Sequence, residues 1–238
     1  MAKLAAKRVK KEPSENQEFL QTEPKEIETL SLAQKKYLNV IKNNILTFAT
    51  GCAGTGKSYI ALSYAAEQLK AKRISKIIIT RPLVEAGEKV GYLPGELSEK
   101  CSPYFDPMIA ILNKRLGQSY TDYLIKRNII EAKPLAYLRG STFENAMVIL
   151  DESQNTTPAQ MLMFLTRIGE NCKMIVDGDL AQSDIRGESG LHDALSRLKS
   201  VNNVGHIHFT IDDVVRSGIC KDILIAYGKP KPKLEDIE

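Results

Sequence analysis

Residues 51–58 read GCAGTGKS, and no other stretch constrains this chain as tightly. An apolar run, ILTFAT (45–50), precedes the octet and an alanine-rich run, YIALSYAA (59–66), follows it. The pattern GxxxxGK[ST] does its chemistry only in that setting, with a strand entering the loop and a helix leaving it. Gly51, Gly54 and Gly56 let the backbone curl tightly, so that the N–H groups of Cys52, Ala53, Thr55 and their neighbours face inward at phosphate oxygens. The helix that follows adds the positive end of its dipole. Lys57 is placed to bridge the β- and γ-phosphates, and the Ser58 hydroxyl to ligate Mg²⁺. The octet reads as a loop that holds a nucleoside triphosphate.

The rest of the chain has the alternation such a loop needs. Strands are expected at 45–50, 76–80, 134–138, 147–151, 173–179 and 206–210. Most of these runs are apolar without polar alternation, as strands covered on both faces must be. Helices are expected at 57–70, 104–117, 120–127, 158–169, 189–200 and 218–227, with Thr157 and Pro158 forming a capped start. The fold class is therefore α/β, one domain with a mainly parallel sheet flanked by helices. That domain is expected over 28–228, after a charged, proline-punctuated arm (1–27) and before a tail (229–238). No apolar run reaches the roughly 18 residues that span a bilayer. The four cysteines are scattered, which fits reduced thiols better than a disulfide framework. His206 and His208 share a strand face but fall short of a zinc site's ligand count. The net charge of +4 is uneven, with a basic middle (70–140) and an acidic remainder (141–238), a distribution compatible with a polyanion-binding face.

The segment MVILDES (147–153) supplies the second half of the site. Asp151 ends an apolar strand, where its carboxylate can hold Mg²⁺, and Glu152 beside it suits a group that orients attacking water. After the next strand, DGDLAQSD (177–184) brings Gln182 to where a γ-phosphate can be sensed. A guanine-reading NKxD motif is missing, since NKRL (113–116) lacks the aspartate. ATP with Mg²⁺ is the expected ligand.

DESQ (151–154) and GDLAQ (178–182), taken with the loop, resemble the first ATPase domain of superfamily 1 helicases, a RecA-like P-loop NTPase fold. The chain resembles the PhoH family of phosphate-starvation-associated ATPases more closely still. TRPLVEAGEKVGYLPGELSEK (80–100), PLAYLRGSTFENAMVILDESQNTT (134–157) and DVVRSGI (213–219) are similar to that family's recurrent segments. The resemblance implies a cytoplasmic ATPase linked to RNA metabolism. It implies that Gln34, in LSLAQKKYLNVI (30–41), reads the adenine edge. It implies that Thr80 and Arg81, with Arg139 nearby where YLRG continues its strand, contact single-stranded nucleic acid, RNA favoured over DNA. Arg216 would neutralise charge at the γ-phosphate. Because superfamily 1 helicases face one nucleotide with two ATPase domains, a single domain implies a homo-oligomer. A hexameric ring is the expected form, with Arg216 reaching a neighbour's site. Two other readings share the loop: an ATP-gated binding module with slow hydrolysis, and a small-molecule kinase, against which stands the lack of an arginine-rich lid.

Overall fold

The structure, a computed structural model, describes residues 26–82 and 97–228. Most of the expected arm, the tail at 229–238 and most of the 80–100 segment lie outside the described residues. Strands β1 (Leu46–Gly51), β2 (Lys76–Arg81), β3 (Ile130–Pro134), β4 (Ala146–Leu150), β5 (Lys173–Gly178) and β6 (Val204–Phe209) form one sheet in the order β3-β2-β4-β5-β1-β6. Every pairing is parallel. Helices α1 (Leu32–Asn43), α2 (Lys57–Lys70), α3 (Leu97–Leu116) and α4 (Gln118–Lys126) precede β3, while α5 (Pro158–Leu165), α6 (Gly190–Leu198) and α7 (Gly218–Tyr227) come later. The α/β class read from the alternation is the fold observed.

Both faces of the sheet are covered, which is why its strands read as continuous apolar runs. Ile77, Ile79, Met147, Ile149 and Ile175 belong to one core with residues of α1 to α4. Their strand neighbours Ile78, Val148, Leu150, Met174 and Val176 belong to a second core with Phe164 of α5 and Leu191 and Ala194 of α6. Each fully buried isoleucine or valine contributes about 1.5–3 kcal/mol, so the central strands dominate stability. Helix α2 buries eight of its residues, and its Ala61, Ser63, Ala65 and Ala66 let the backbone lie close on the sheet. The expected start of α5 is present in full, with Thr157 and Gln160 exchanging the two bonds of a capping box ahead of Pro158.

Two elements differ from expectation. The apolar PLAYL is not a strand; β3 lies earlier, over a polar sequence, and Leu135–Leu138 forms a 3₁₀ turn. β3 is an edge strand, so Glu131 and Lys133 can face outward, and Pro134 ends the ladder because it has no N–H to donate. Leu135 and Leu138, three residues apart on a threefold turn, both enter the core. Arg139 consequently follows a turn rather than continuing a strand. Helix α3 begins at Leu97, ahead of the expected 104, and carries Pro103 and Pro107 within it.

The register lines up the strand ends that matter. Thr50 pairs with Gly178 and Gly51 with Phe209, while Leu150 pairs with Val176 and Thr80. The loop after β1 therefore opens beside the carboxyl ends of β5, β4 and β2, where ligands bind in open parallel sheets.

Candidate functional site

The loop after β1 is built on left-handed glycines. Gly51 has φ +122°, and a β-carbon there would stand 2.0 Å from the Phe209 carbonyl oxygen of β6. Gly56 has φ +84°, and a β-carbon there would stand 2.5 Å from Gln34 Nε2. An L side chain at either position meets both a disfavoured backbone conformation and an occupied space. Thr55 Oγ1 donates to the Cys52 carbonyl at 3.1 Å and closes the curl. Lys57 Nζ donates to the carbonyls of Gly51 and Cys52 at 2.6 and 3.0 Å, so its ammonium spans the mouth of the loop.

Across the cleft, Ser58 Oγ donates to Asp151 Oδ1 at 3.3 Å. Asp151 is buried at the end of β4, and its other oxygen accepts from Arg81 Nε at 2.9 Å and Nη2 at 2.5 Å. Arg81 also lies 3.8 Å from Glu152 Oε1 and donates to the Tyr104 carbonyl at 2.9 Å. Glu152 is half exposed, with its backbone at φ +53°. A cavity of about 360 Å³ joins these groups, lined by Lys57, Ser58, Asp151, Glu152, Gln182 and Arg216 among others. One hydroxyl and one carboxylate oxygen, side by side and hard in character, suit Mg²⁺, which keeps most of its octahedron for water and phosphate.

Several residues do other work than the sequence suggests. Gln34 is 1% exposed; its Nε2 donates to the Thr55 carbonyl at 2.9 Å and its Oε1 accepts from the Leu30 N–H at 2.7 Å. That amide braces the phosphate loop from behind instead of presenting an edge to adenine. Thr80 is buried in β2, so its hydroxyl is closed to a nucleic-acid backbone. Arg81, expected on the same path, is held by the site's own carboxylates because β2 ends beside β4. Arg139 is exposed, as is Tyr137 two residues before it, at 55%. Arg216 lies against its own chain's loop, whereas the resemblance implies a neighbouring subunit's site. The Val215 N–H donates to the Gly54 carbonyl at 3.1 Å, and Arg216 Cδ stands 3.1 Å from the place of a β-carbon at Gly54. Asp212 is engaged by Lys221, and Asp213 caps Thr210. His206 Nε2 and His208 Nδ1 both meet Thr50 Oγ1, at 2.8 and 3.0 Å.

Two features escape the motif reading. Gln154 sits inside DESQ but carries no role from its type alone; its contacts become visible only when two loops are brought together. The other is Asp177, fully buried on β5, whose Oδ1 accepts from the Tyr37 hydroxyl at 2.7 Å. Its Oδ2 has no hydrogen-bond partner among the described residues. Burial, then the nearby Asp151 charge, pushes its carboxyl up to about 7. The folded chain thus holds a proton that the unfolded chain, with its carboxyl near 3.8, releases. This group favours folding most below pH 4, and that contribution is lost as pH rises to about 7. Above pH 7 ionisation costs at most about 4 kcal/mol. Asp177→Asn keeps the acceptor for Tyr37 without the charge, and should melt several degrees above wild type at pH 8. The difference should narrow at pH 5 and close only below about pH 4, as scanning calorimetry across that range would read.

Fold and loop together define a P-loop NTPase. Residues 26–228 match the PhoH-like protein family, and the chain belongs to it. It is 50% identical over 200 residues to Protein PhoH of Escherichia coli K12, covering 82% of this chain and 56% of that one. It is 48% identical over 207 residues to the PhoH-like protein of Bacillus subtilis 168, covering 86% and 65%. The chain thus spans less than two thirds of the length of these curated relatives. Among solved structures, the large terminase of a thermophilic bacteriophage shares the fold, with a TM-score of 0.50 at 14% identity over 84% of this chain and 50% of that one. No described helix is long and apolar enough to cross a membrane.

Proposed function

We propose that this chain is a Mg²⁺-dependent ATPase of the cytoplasm that works on single-stranded nucleic acid, RNA favoured, as a homo-oligomer. The observation that carries the reading is the convergence of Lys57, Ser58, Asp151, Glu152 and Gln182 on one cleft at the carboxyl ends of β1, β4 and β5. Lys57 exchanges its two loop carbonyls for phosphate oxygens, which as anions bind it more strongly. Ser58 and Asp151 would hold Mg²⁺, which would supply charge neutralisation at the phosphates. Glu152 orients a water and takes its proton as the water oxygen bonds to the γ-phosphorus. The bond from that phosphorus to the bridging oxygen breaks, releasing ADP and inorganic phosphate. Arg216, based on the loop of its own chain, supplies its guanidinium to the developing charge, and no second subunit is needed for that contact.

Arg81 favours a second reading at one point. While it neutralises Asp151 and sits near Glu152, the acids are held away from catalysis, as an ATP-gated binding module with slow turnover requires. Release of Arg81 on nucleotide binding reconciles the two readings.

Of the residues the resemblance implies for nucleic-acid contact, Arg139 supports such binding, and Tyr137 joins it. Tyr137 and Arg139, two residues apart beyond the edge strand β3, are both exposed, an aromatic ring and a cation of the kinds that hold single strands. Self-association is supported by the exposed Ile219, Ile223 and Tyr227 of α7, an apolar flank unusual for a free surface. Single-stranded RNA should bind in a salt-dependent manner and tolerate changes of sequence, because phosphate contacts carry no base information. Arg139→Ala should reduce the slope of log affinity against log salt by roughly 0.7, and Tyr137→Ala should cost about 1–3 kcal/mol. Fluorescence anisotropy over a salt series reads both. Binding indifferent to salt, or equal in both variants and wild type, would remove this surface from the proposal.

A further inference from the structure

We infer that Gln154 is a positioning residue that ties the Glu152 carboxylate to the loop carrying Gln182, so that the aim of the base follows that loop's contact with a γ-phosphate. The inference rests on the hydrolytic reading above. Gln154 is 1% exposed, and its side-chain polar atoms are divided between two clients. Nε2 donates to Glu152 Oε2 at 2.7 Å and to the Gln182 carbonyl at 3.3 Å. Oε1 accepts from the Asp179 N–H at 3.0 Å.

A primary amide has two N–H bonds in one plane, and here one serves the catalytic carboxylate and the other the sensing loop. Turning the amide to follow one partner changes its aim at the other. Glu152 needs such a guide. Its side chain is half exposed, and its left-handed backbone is a conformation that costs a non-glycine residue about 1–3 kcal/mol unless the surroundings hold it.

The loop side of the link is firm. The Gln154 carbonyl accepts from Ser183 Oγ at 3.3 Å and Ser189 Oγ at 2.8 Å. Asn155 and Asp184 exchange two bonds, of 3.1 and 2.8 Å. A β-carbon at Gly178 would lie 2.6 Å from Ser153 Oγ and 2.9 Å from Gln154 Oε1, so the two segments touch without room for a side chain. A displacement at Gln182 is therefore passed to Gln154, whose amide reaches on to Glu152.

The test compares steady-state hydrolysis, ATP affinity and melting temperature for wild type, Gln154→Glu and Gln154→Met in the full chain. Gln154→Glu keeps an acceptor for Asp179 but removes both donors; Gln154→Met matches the length and avoids a buried charge. Each variant should lose roughly 100-fold in kcat, the loss typical of a misplaced catalytic group, with ATP affinity within about threefold of wild type. In a Gln182→Ala background the sensing contact is already gone, so adding Gln154→Met should cost less than about threefold more. Losses that simply multiply, or that fall on affinity and melting temperature as much as on kcat, would overturn the positioning role. Wild-type turnover abolished by Glu152→Gln but unaffected by Gln154→Met would overturn this inference alone. Wild type with no Mg²⁺-ATP turnover would overturn the hydrolytic reading and the inference with it.

Discussion

Glu152→Gln should bind ATP as tightly as wild type and hydrolyse it roughly 10²–10⁴-fold more slowly, the range for loss of a positioned general base. Glu152 lies outside the contacts that define the loop: Lys57 meets Gly51 and Cys52, and Ser58 meets Asp151. Its own bond is to Gln154 Nε2, which a glutamine at 152 can still accept through its carbonyl. The phosphate cradle therefore survives while the proton acceptor is lost. Calorimetric titration paired with phosphate release separates the two quantities. A matching loss of affinity would move Glu152 from catalysis into binding.

Lys57→Ala should do the reverse and weaken ATP affinity by about 100-fold or more. A charge-assisted hydrogen bond contributes about 1.5–3 kcal/mol, and an ammonium bridging two phosphate groups makes at least two. Each 1.4 kcal/mol is about tenfold in affinity, so the lower bound is near two decades. Alanine also leaves the Gly51 and Cys52 carbonyls without the donor that spans them. Titration at fixed Mg²⁺ reads the loss directly, and an affinity within about a factor of ten of wild type would exclude Lys57 as the main phosphate cation.

How much of this is legible in the sequence depends on whether a residue's role is local. Lys57 and Ser58 can be placed from GxxxxGK[ST] because eight consecutive residues carry the whole geometry. Asp151 and Glu152 can be placed because an apolar strand ending in acids delivers them to the sheet's carboxyl edge. The strands of the interior are plain for the same reason that they are buried on both faces. Edge strand β3 is not, since Ile130–Pro134 alternates polar and apolar residues while the apolar LAYL beyond it outcompetes it in the pattern. Gln34, Thr80, Arg81 and Arg216 are assigned by resemblance to positions in a chain, and each depends on what stands opposite. Gln34 faces Gly56, Arg81 faces Asp151 and Arg216 faces Gly54. Sequence distance hides those partners. The bond from Tyr37 to Asp177 crosses 140 residues, and no local pattern announces it.

Phosphate release from ATP and Mg²⁺, measured for wild type and Glu152→Gln with and without single-stranded RNA, tests the central claim most directly. Wild type should turn over ATP at a rate that rises with RNA, while Glu152→Gln should stay near background in both conditions. Wild-type turnover no greater than that of Glu152→Gln, with or without RNA, would contradict it.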